Sequence, residues 1–426
     1  MKIHLDLDAF FISAERIRKP SLRNIPAAVG GRGDPFIFNS FNKNIDTTHA
    51  NSGAFVPSIM YDAKNSFEEY FIEGKKIRGI IITASYEARK YGIKTGMTIR
   101  EALQVYPSLQ VVPPNHLYYH ELSHKLHLFL KKELPAVEQF SIDEFFADLS
   151  GWVNESEIEP FLHSLQQKIL KTFHLPISIG AAKSKWTAKL ATSFAKPHGI
   201  KVVRDVEQFI SPIPIEQFPG IGRGYCKRLR NYGIKTLGET KEIKELFYSW
   251  KKPGITLYKR IWGIDNEPIE HKSPRKSVGI SRTIDPLIDR QELQRRIVIL
   301  ARHLAFSVAR LRLEPKFYLL SLKYENGSKA KAHTLSHKIF SEQLLKNIAL
   351  ELLTMCDILS VEPIIRISLH CSRFYDQKLY DIFTYEGDKK LYNLFNSTNL
   401  IRKKFGIDKI MWGIEMQGGK AAMENS

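Results

Sequence analysis

Cysteine is scarce in this chain: three in 426 residues, Cys226, Cys356 and Cys371. An odd number without paired spacing excludes a disulfide framework and the common cysteine-rich zinc sites, and points to free thiols in a reducing cytoplasm. No apolar run approaches the ~20 residues of a membrane-spanning helix. The opening Met1-Lys2-Ile3-His4-Leu5-Asp6 carries charge too early for a secretory leader. Internal repeats and low-complexity tracts are lacking. Acidic residues are in deficit, 45 against 63 Lys and Arg, which leaves a formal charge of +18 and a pI near 9.5. Such a surplus suits a polyanionic partner (nucleic acid, an anionic membrane surface or an acidic protein), although solubility alone also produces it. With 43% hydrophobic residues the chain is globular, and its length requires several domains.

Two adjacent carboxylates stand inside the apolar stretch Phe140-Ser141-Ile142-Asp143-Glu144-Phe145-Phe146-Ala147-Asp148-Leu149-Ser150-Gly151. Ionised carboxylates resist burial without a cation or hydrogen-bond donors, so Asp143 and Glu144 are candidate metal ligands. The stretch reads as two strand segments around a tight bend. On a regular strand the two carboxylates would face opposite ways, and both reach one ion only if the backbone turns there. The N-terminus offers partners. Ile3 to Asp8 alternates, with Ile3, Leu5 and Leu7 on one strand face and His4, Asp6 and Asp8 on the other. Ala9 to Arg18 then reads as a helix ended by Pro20. Carboxylates therefore fall where a helix begins, and helix-start amides suit a phosphate. Asp8 reads best as the cap of that helix; Asp6 is less easily explained that way.

Ile25 to Gly31 and Gly79 to Ala84 read as strands. The polar, aromatic stretch from Gly33 to Ile77 reads as an insertion or large loop. Tyr86 and Arg89 share one face of the next helix, a pair that grips a phosphate or makes a plain surface contact. Leu117 to Leu134 and Ile158 to Phe173 are amphipathic helices. The helix Lys183 to Ala195 bears Lys183, Lys185 and Lys189, and Lys196-Pro197-His198-Gly199 follows; alone, these lysines read as surface. Beyond Glu207, Phe218-Pro219-Gly220-Ile221-Gly222 opens a basic helix with Lys227, Arg228 and Arg230. That is a helix-hairpin-helix signature, whose backbone amides bind nucleic-acid phosphates without reading sequence. After a polar linker the pattern is β-α-β-β-α-β. From Arg275 to Arg373 it holds 17 Lys and Arg against 9 Asp and Glu, a net of +8. A basic open sheet face suits a nucleic-acid backbone. The end, from Tyr375, reads as a polar tether, a basic helix near Leu391 to Phe405 and a polar terminus.

These features together resemble the Y-family DNA polymerases, the translesion enzymes, and within them the bacterial polymerase IV group. The matching stretches are Ile3-His4-Leu5-Asp6-Leu7-Asp8-Ala9-Phe10-Phe11, Thr83-Ala84-Ser85-Tyr86-Glu87-Ala88-Arg89-Lys90-Tyr91-Gly92, Ser141-Ile142-Asp143-Glu144, Ala195-Lys196-Pro197-His198-Gly199, Pro219-Gly220-Ile221-Gly222 and Arg275-Lys276-Ser277-Val278-Gly279. They occur in family order from Met1 to Arg373, leaving out 33–77.

The resemblance implies an α+β multidomain right hand: palm 1–10 and 114–204, fingers 11–113 with an insertion at about 34–77, thumb 205–269, linker 270–276, little finger 277–373 and a tail 374–426. It implies template-directed addition of dNTPs to a primer 3′ end at damaged templates, with low fidelity. Asp6, Asp143 and Glu144, with the Leu7 carbonyl, would hold two Mg2+ ions, for which Mn2+ can substitute. Ala9, Phe10, Phe11, Thr83, Tyr86, Arg89 and Lys196 would meet the nucleotide, Phe11 as the steric gate against a ribose 2′-hydroxyl. Asp8 matches a family aspartate that is not a ligand. Gly220, Gly222, Lys227, Arg275 and Lys276 would contact DNA. In the tail, Gln377, Leu379, Ile382 and Phe383 resemble a sliding-clamp-binding peptide; Leu391 to Phe395 competes for that role but sits in a stronger helical pattern. Partners are then primer-template DNA, dNTPs and a sliding clamp, for a monomer in the bacterial cytoplasm at the nucleoid, with no membrane. Ile82 stands where the family has a small residue near the nascent pair. Alternatives are the catalytic subunit of a polymerase V-type complex, a non-catalytic DNA-binding member, or a metal-dependent nuclease, which has no use for a gate.

Overall fold

The computed structural model describes residues 1–33, 37–38, 66–73, 75–269, 275–374 and 385–416. They fall into two compact units. The first holds the described residues of Met1–Gly31 and Asp62–Ser273, the second those of Arg32–Ala50 and Pro274–Ser426.

The first unit is built on a five-stranded sheet in the order Ile200–Val202, Ile177–Ala182, Lys2–Leu7, Glu144–Asp148, Val137–Gln139. Lys2–Leu7 lies at its centre, antiparallel to both neighbours, with Asp6 opposite Glu144 on one side and Ser178 on the other. The alternation in the sequence is real, but the polar face is covered as fully as the apolar one: His4 and Asp6 are buried with Ile3 and Leu5. The cover is helix Lys185–Ala195, capped by Ser184. Gly180 permits its approach, since a Cβ there would stand 2.2 Å from the Ala188 carbonyl oxygen and 2.4 Å from the Thr192 nitrogen. Any larger residue at 180 would lift the helix off the sheet and carry its lysines away.

A smaller sheet orders Ile80–Ala84, Ala27–Gly31 and Gln110–Val112. The stretch 33–77 is not wholly irregular. Ser66 caps a short helix Phe67–Phe71 whose Tyr70 and Phe71 are fully buried, and Ile72–Glu73 pairs with Lys76–Ile77. Further along the chain, Ile210, Phe218, Leu229, Phe247 and Ile261 share one helical core. A short helix, Val206–Ile210, and a three-residue 3-10 turn, Ile215–Gln217, precede the Gly-Ile-Gly turn, and helix Arg223–Asn231 follows it. Pro212 and Pro214 deny the earlier segment its amide donors.

The second unit has the expected β-α-β-β-α-β order. Its strands lie as Ser277–Leu287, Ile364–Phe374, Pro315–Tyr324, Lys329–Leu335. Helices Arg290–Arg310 and Glu342–Cys356 bury Leu293, Leu300, Leu304 and Leu352 against alternate strand residues such as Tyr318, Leu320 and Leu322. Cys356 and Cys371 are free thiols in this core. Two departures from the sequence reading appear. Ile37, expected in a loop of the fingers, is buried in this core, and the carbonyl of Phe38 accepts from both Nη1 and Nη2 of Arg295 at 3.1 Å. In the tail the expected basic helix is present, but the described residues beyond it, expected as a polar terminus, are folded too. Helix Tyr385–Phe405 packs through Phe395 on Phe340, and Arg402 pairs with the buried Glu342. Beyond it, Arg302 holds Glu415 at 2.7 Å and Asp408 at 2.8 Å. No described helix is long and apolar enough to cross a membrane.

Candidate active site

The carboxylates gather at one end of the central sheet because the chain bends between two strands. Val137–Gln139 and Glu144–Asp148 are antiparallel, and residues 141–143 form the bend. The Leu7 amide donates to the Asp143 carbonyl at 3.0 Å, which ties the bend to the end of the central strand. Asp143 and Glu144 thereby escape strict alternation. Ser141 Oγ donates to Asp143 Oδ1 at 2.5 Å. Asp6 reaches Lys196 Nζ at 2.6 Å, and Glu144 pairs with Lys189. Burial pushes the Asp6 carboxyl up to about 7; the charges of Asp143 and Glu144 add to this and Lys196 opposes it. Asp143 is likewise raised, first by burial and also by Glu144. The site is therefore short of positive charge despite two lysines. Among the described residues no three His, Cys, Asp or Glu side chains form a ready-made metal site.

Asp8 is not a helix cap. The residue before helix Phe10–Arg18 is Ala9, in the left-handed region at φ 44°, and no side chain caps that start. Asp8 is buried instead and collects donors from three distant segments: Tyr86 Oη at 3.1 Å, Ser178 Oγ at 2.9 Å and the His198 amide at 2.8 Å. Three donors can satisfy a buried carboxylate without a cation. Asp8 thus draws Tyr86 and the 196–198 turn to the acidic end of the sheet.

Phe10 is a core residue. Phe11 is half-buried, its ring stacked on Tyr119 at 4.6 Å between centroids and 15° between planes. Tyr119 is anchored by its hydroxyl, which donates to Glu15 at 2.8 Å. Phe11, Ile82 and Tyr86 pack together on a cluster containing Ala9 and Ile12. Thr83 pairs with Val29 in the adjoining sheet. Arg89 donates to the Ala84 carbonyl at 3.0 Å and lies 4.6 Å over the Tyr86 ring. Asp6, Asp143, Glu144, Phe11, Tyr86 and Lys196 are thus brought together.

Gly220, Gly222 and Lys227 lie apart from this cluster, at the start of helix Arg223–Asn231. Gly220 has φ 105°, a conformation that favours glycine, and Lys227 is exposed. Arg275 and Lys276 lead into the first strand of the second unit. Gln377, Leu379, Ile382 and Phe383 lie outside the described residues. Sequence reasoning missed Lys189, read as surface with Lys183 and Lys185, and Tyr119, read only as part of an amphipathic helix. It also missed His4, whose Nδ1 stands 2.9 Å from Thr192 Oγ1 and whose Nε2 is 3.7 Å from Glu144. The signal for Lys189 was its four-residue spacing from Lys185, which pairs with Glu138 at 2.6 Å.

Residues 5–193 match the impB/mucB/samB family and residues 275–381 its C-terminal domain. The chain is 28% identical to a DNA polymerase IV of Alkaliphilus oremlandii, over 95% of this chain and 96% of the other. It is 30% identical to a DNA polymerase IV of Leptospira interrogans, over 82% and 87% of the two chains. Among solved structures it is similar to a Y-family polymerase chimera of Dbh and Dpo4, at 22% identity and a TM-score of 0.68, over 88% of this chain and 99% of that one. The chain belongs to the impB/mucB/samB family, the Y-family DNA polymerases.

Proposed function

We propose that Asp6, Asp143 and Glu144, with the Leu7 backbone carbonyl, hold two Mg2+ ions (or Mn2+) and that around them a dNTP is joined to a primer 3′ end on a DNA template. As a Y-family member the chain is a DNA-directed DNA polymerase of translesion type. The observation that carries the assignment of the site is the cross-strand pairing of Asp6 with Glu144, with Asp143 tied by its carbonyl to Leu7. The donors fit the ions: they are hard oxygens, and two of the three carboxyls are held above their usual range, first by burial and also by their acidic neighbours. When bound, such ions activate the attacking hydroxyl and compensate the charge on the leaving phosphate. The residues of the chain do the positioning. Lys196, Tyr86 and Arg89 receive the triphosphate, Tyr86 being oriented by Asp8. Phe11, steadied by Tyr119, occupies the space beside the sugar. A sliding clamp docked through Gln377, Leu379, Ile382 and Phe383 keeps the monomer on DNA, in the cytoplasm at the nucleoid.

Primer extension by the purified chain with Mg2+ and each dNTP singly tests the reading; no template-directed addition would overturn it. In the same assay Phe11→Ala should lower the dNTP over rNTP ratio of kcat/KM by about a hundredfold. Unchanged sugar selection would remove the gate role.

The open face of the second sheet supports a DNA partner. Lys323 stands opposite Lys329 on one side and Arg366 on the other. Like charges directly across strands destabilise a sheet, by up to ~1 kcal/mol; a phosphate backbone compensates them. Lys323→Ala and Arg366→Ala should each reduce the slope of log affinity for DNA against log salt by about one. Equal slopes before and after substitution would place these cations off the DNA.

A further inference from the structure

Among the described residues of helix Tyr385–Phe405, the two that are buried, Phe395 and Arg402, lie on one side. That side carries Phe395, edge-on to Phe340 at 5.9 Å, and Arg402, paired with Glu342. The adjoining side carries Leu391, Leu394, Thr398, Ile401 and Phe405. Their spacing of three, four, three and four residues is that of the a and d positions of a coiled coil. Over two heptads, about 21 Å of helix, they form a continuous stripe. Its four apolar members are 38 to 60% exposed. The helix is already anchored by its other side, so this second stripe is not needed for the fold, and exposed apolar stripes of this kind mark interaction surfaces.

Charge selects the occupant. Exposed Lys389 and Lys390 flank one end of the stripe, and exposed Lys403 and Lys404 the other. The helix has only two acids, Glu386 and Asp388, both in its first turn. A second copy fits poorly. Antiparallel pairing would bring Lys390 of each copy against Lys404 of the other, and like charges at such flanking positions select against a pairing. Parallel pairing would need the flank where Phe395 and Arg402 are already buried. We propose that this stripe is a docking site for an acidic amphipathic helix of a partner protein. The partner would lay leucine-like residues on the stripe and present carboxylates to the four lysines.

The test titrates the full chain into a fluorescent synthetic helix of about four heptads, with leucine at a and d and glutamate at e and g. A companion peptide carries lysine at e and g. The acidic peptide should bind at least tenfold more tightly than the basic one, and the gap should close in high salt. Leu394→Lys and Ile401→Lys, both at exposed positions, should each weaken binding at least tenfold with an unchanged circular dichroism spectrum. Lys390→Glu with Lys404→Glu should invert the preference between the peptides. Equal binding of the two peptides, no binding of the acidic one, or full binding by Leu394→Lys would each overturn the proposal. So would a concentration-dependent dimer in sedimentation that Leu394→Lys dissolves, which would make a second copy the occupant.

Discussion

Asp143→Ala and Glu144→Ala should each slow single-turnover primer extension by about a thousandfold or more, with primer-template affinity kept within a fewfold. The size follows from charge. A catalytic divalent ion contributes several kcal/mol of transition-state stabilisation, and each 1.36 kcal/mol is a factor of about ten. Asp143 is the more informative position because loss of the fold is not a competing explanation. Burial holds its carboxyl above the usual range, so at neutral pH the ionised group costs the folded state stability, and removing it should leave Tm unchanged or raise it. Extension kinetics, binding by anisotropy and a melting curve therefore separate chemistry from structure. Extension retained by both variants would remove these residues from catalysis.

Arg302→Met should destabilise the second unit by about 3–5 kcal/mol, a fall in its Tm on the order of 10 °C. Arg302 is 1% exposed and holds Glu415, itself fully buried, by Nε at 2.7 Å. Its Nη1 donates to the Ile407 carbonyl and to Asp408, each at 2.8 Å. Removing the guanidinium leaves a buried carboxylate without its cation, the costly half of a broken ion pair. Arg302→Met combined with Glu415→Met should recover much of the loss, since an apolar pair of similar size substitutes well for a buried ion pair. Calorimetry of the two single variants and the double variant closes the cycle. An additive double variant would mean that Arg302 and Glu415 act independently and that the C-terminal segment is not held by this pair.

Much of the acidic site was legible in the sequence, because its parts are local. The alternation Ile3-His4-Leu5-Asp6 defines a strand, and a doublet of acids in an apolar run needs a partner wherever it folds. Asp8 was misread as a cap because a carboxylate before a helix usually is one, while its donors come from Ser178 and His198, some 170 and 190 residues along the chain. Lys189 was passed over because its spacing from Lys185 puts the two on one helix face without saying that the face is covered; Gly180 shows that only once the helix is known to lie on its strand. The stretch after helix Tyr385–Phe405 was read as a polar terminus because the buried ion pair that holds it, Arg302 with Glu415, spans 113 residues. Ile37 announced itself as apolar, yet nothing in its neighbourhood said which core would take it.

By itself, then, the sequence determined the period of each strand and helix, the basic surplus, and the carboxylates Asp6, Asp143 and Glu144, with a bend required between the last two. Those follow from side-chain chemistry acting over a few residues. Only the tertiary structure decided that Asp8 gathers Tyr86 and the 196–198 turn, that Tyr119 backs the Phe11 ring, and that residues 402–415 are held by helices Arg290–Arg310 and Glu342–Cys356. Each of these depends on burial, which charges a polar group for desolvation and so dictates its partner. Burial is a property of the whole packed chain rather than of any stretch of it.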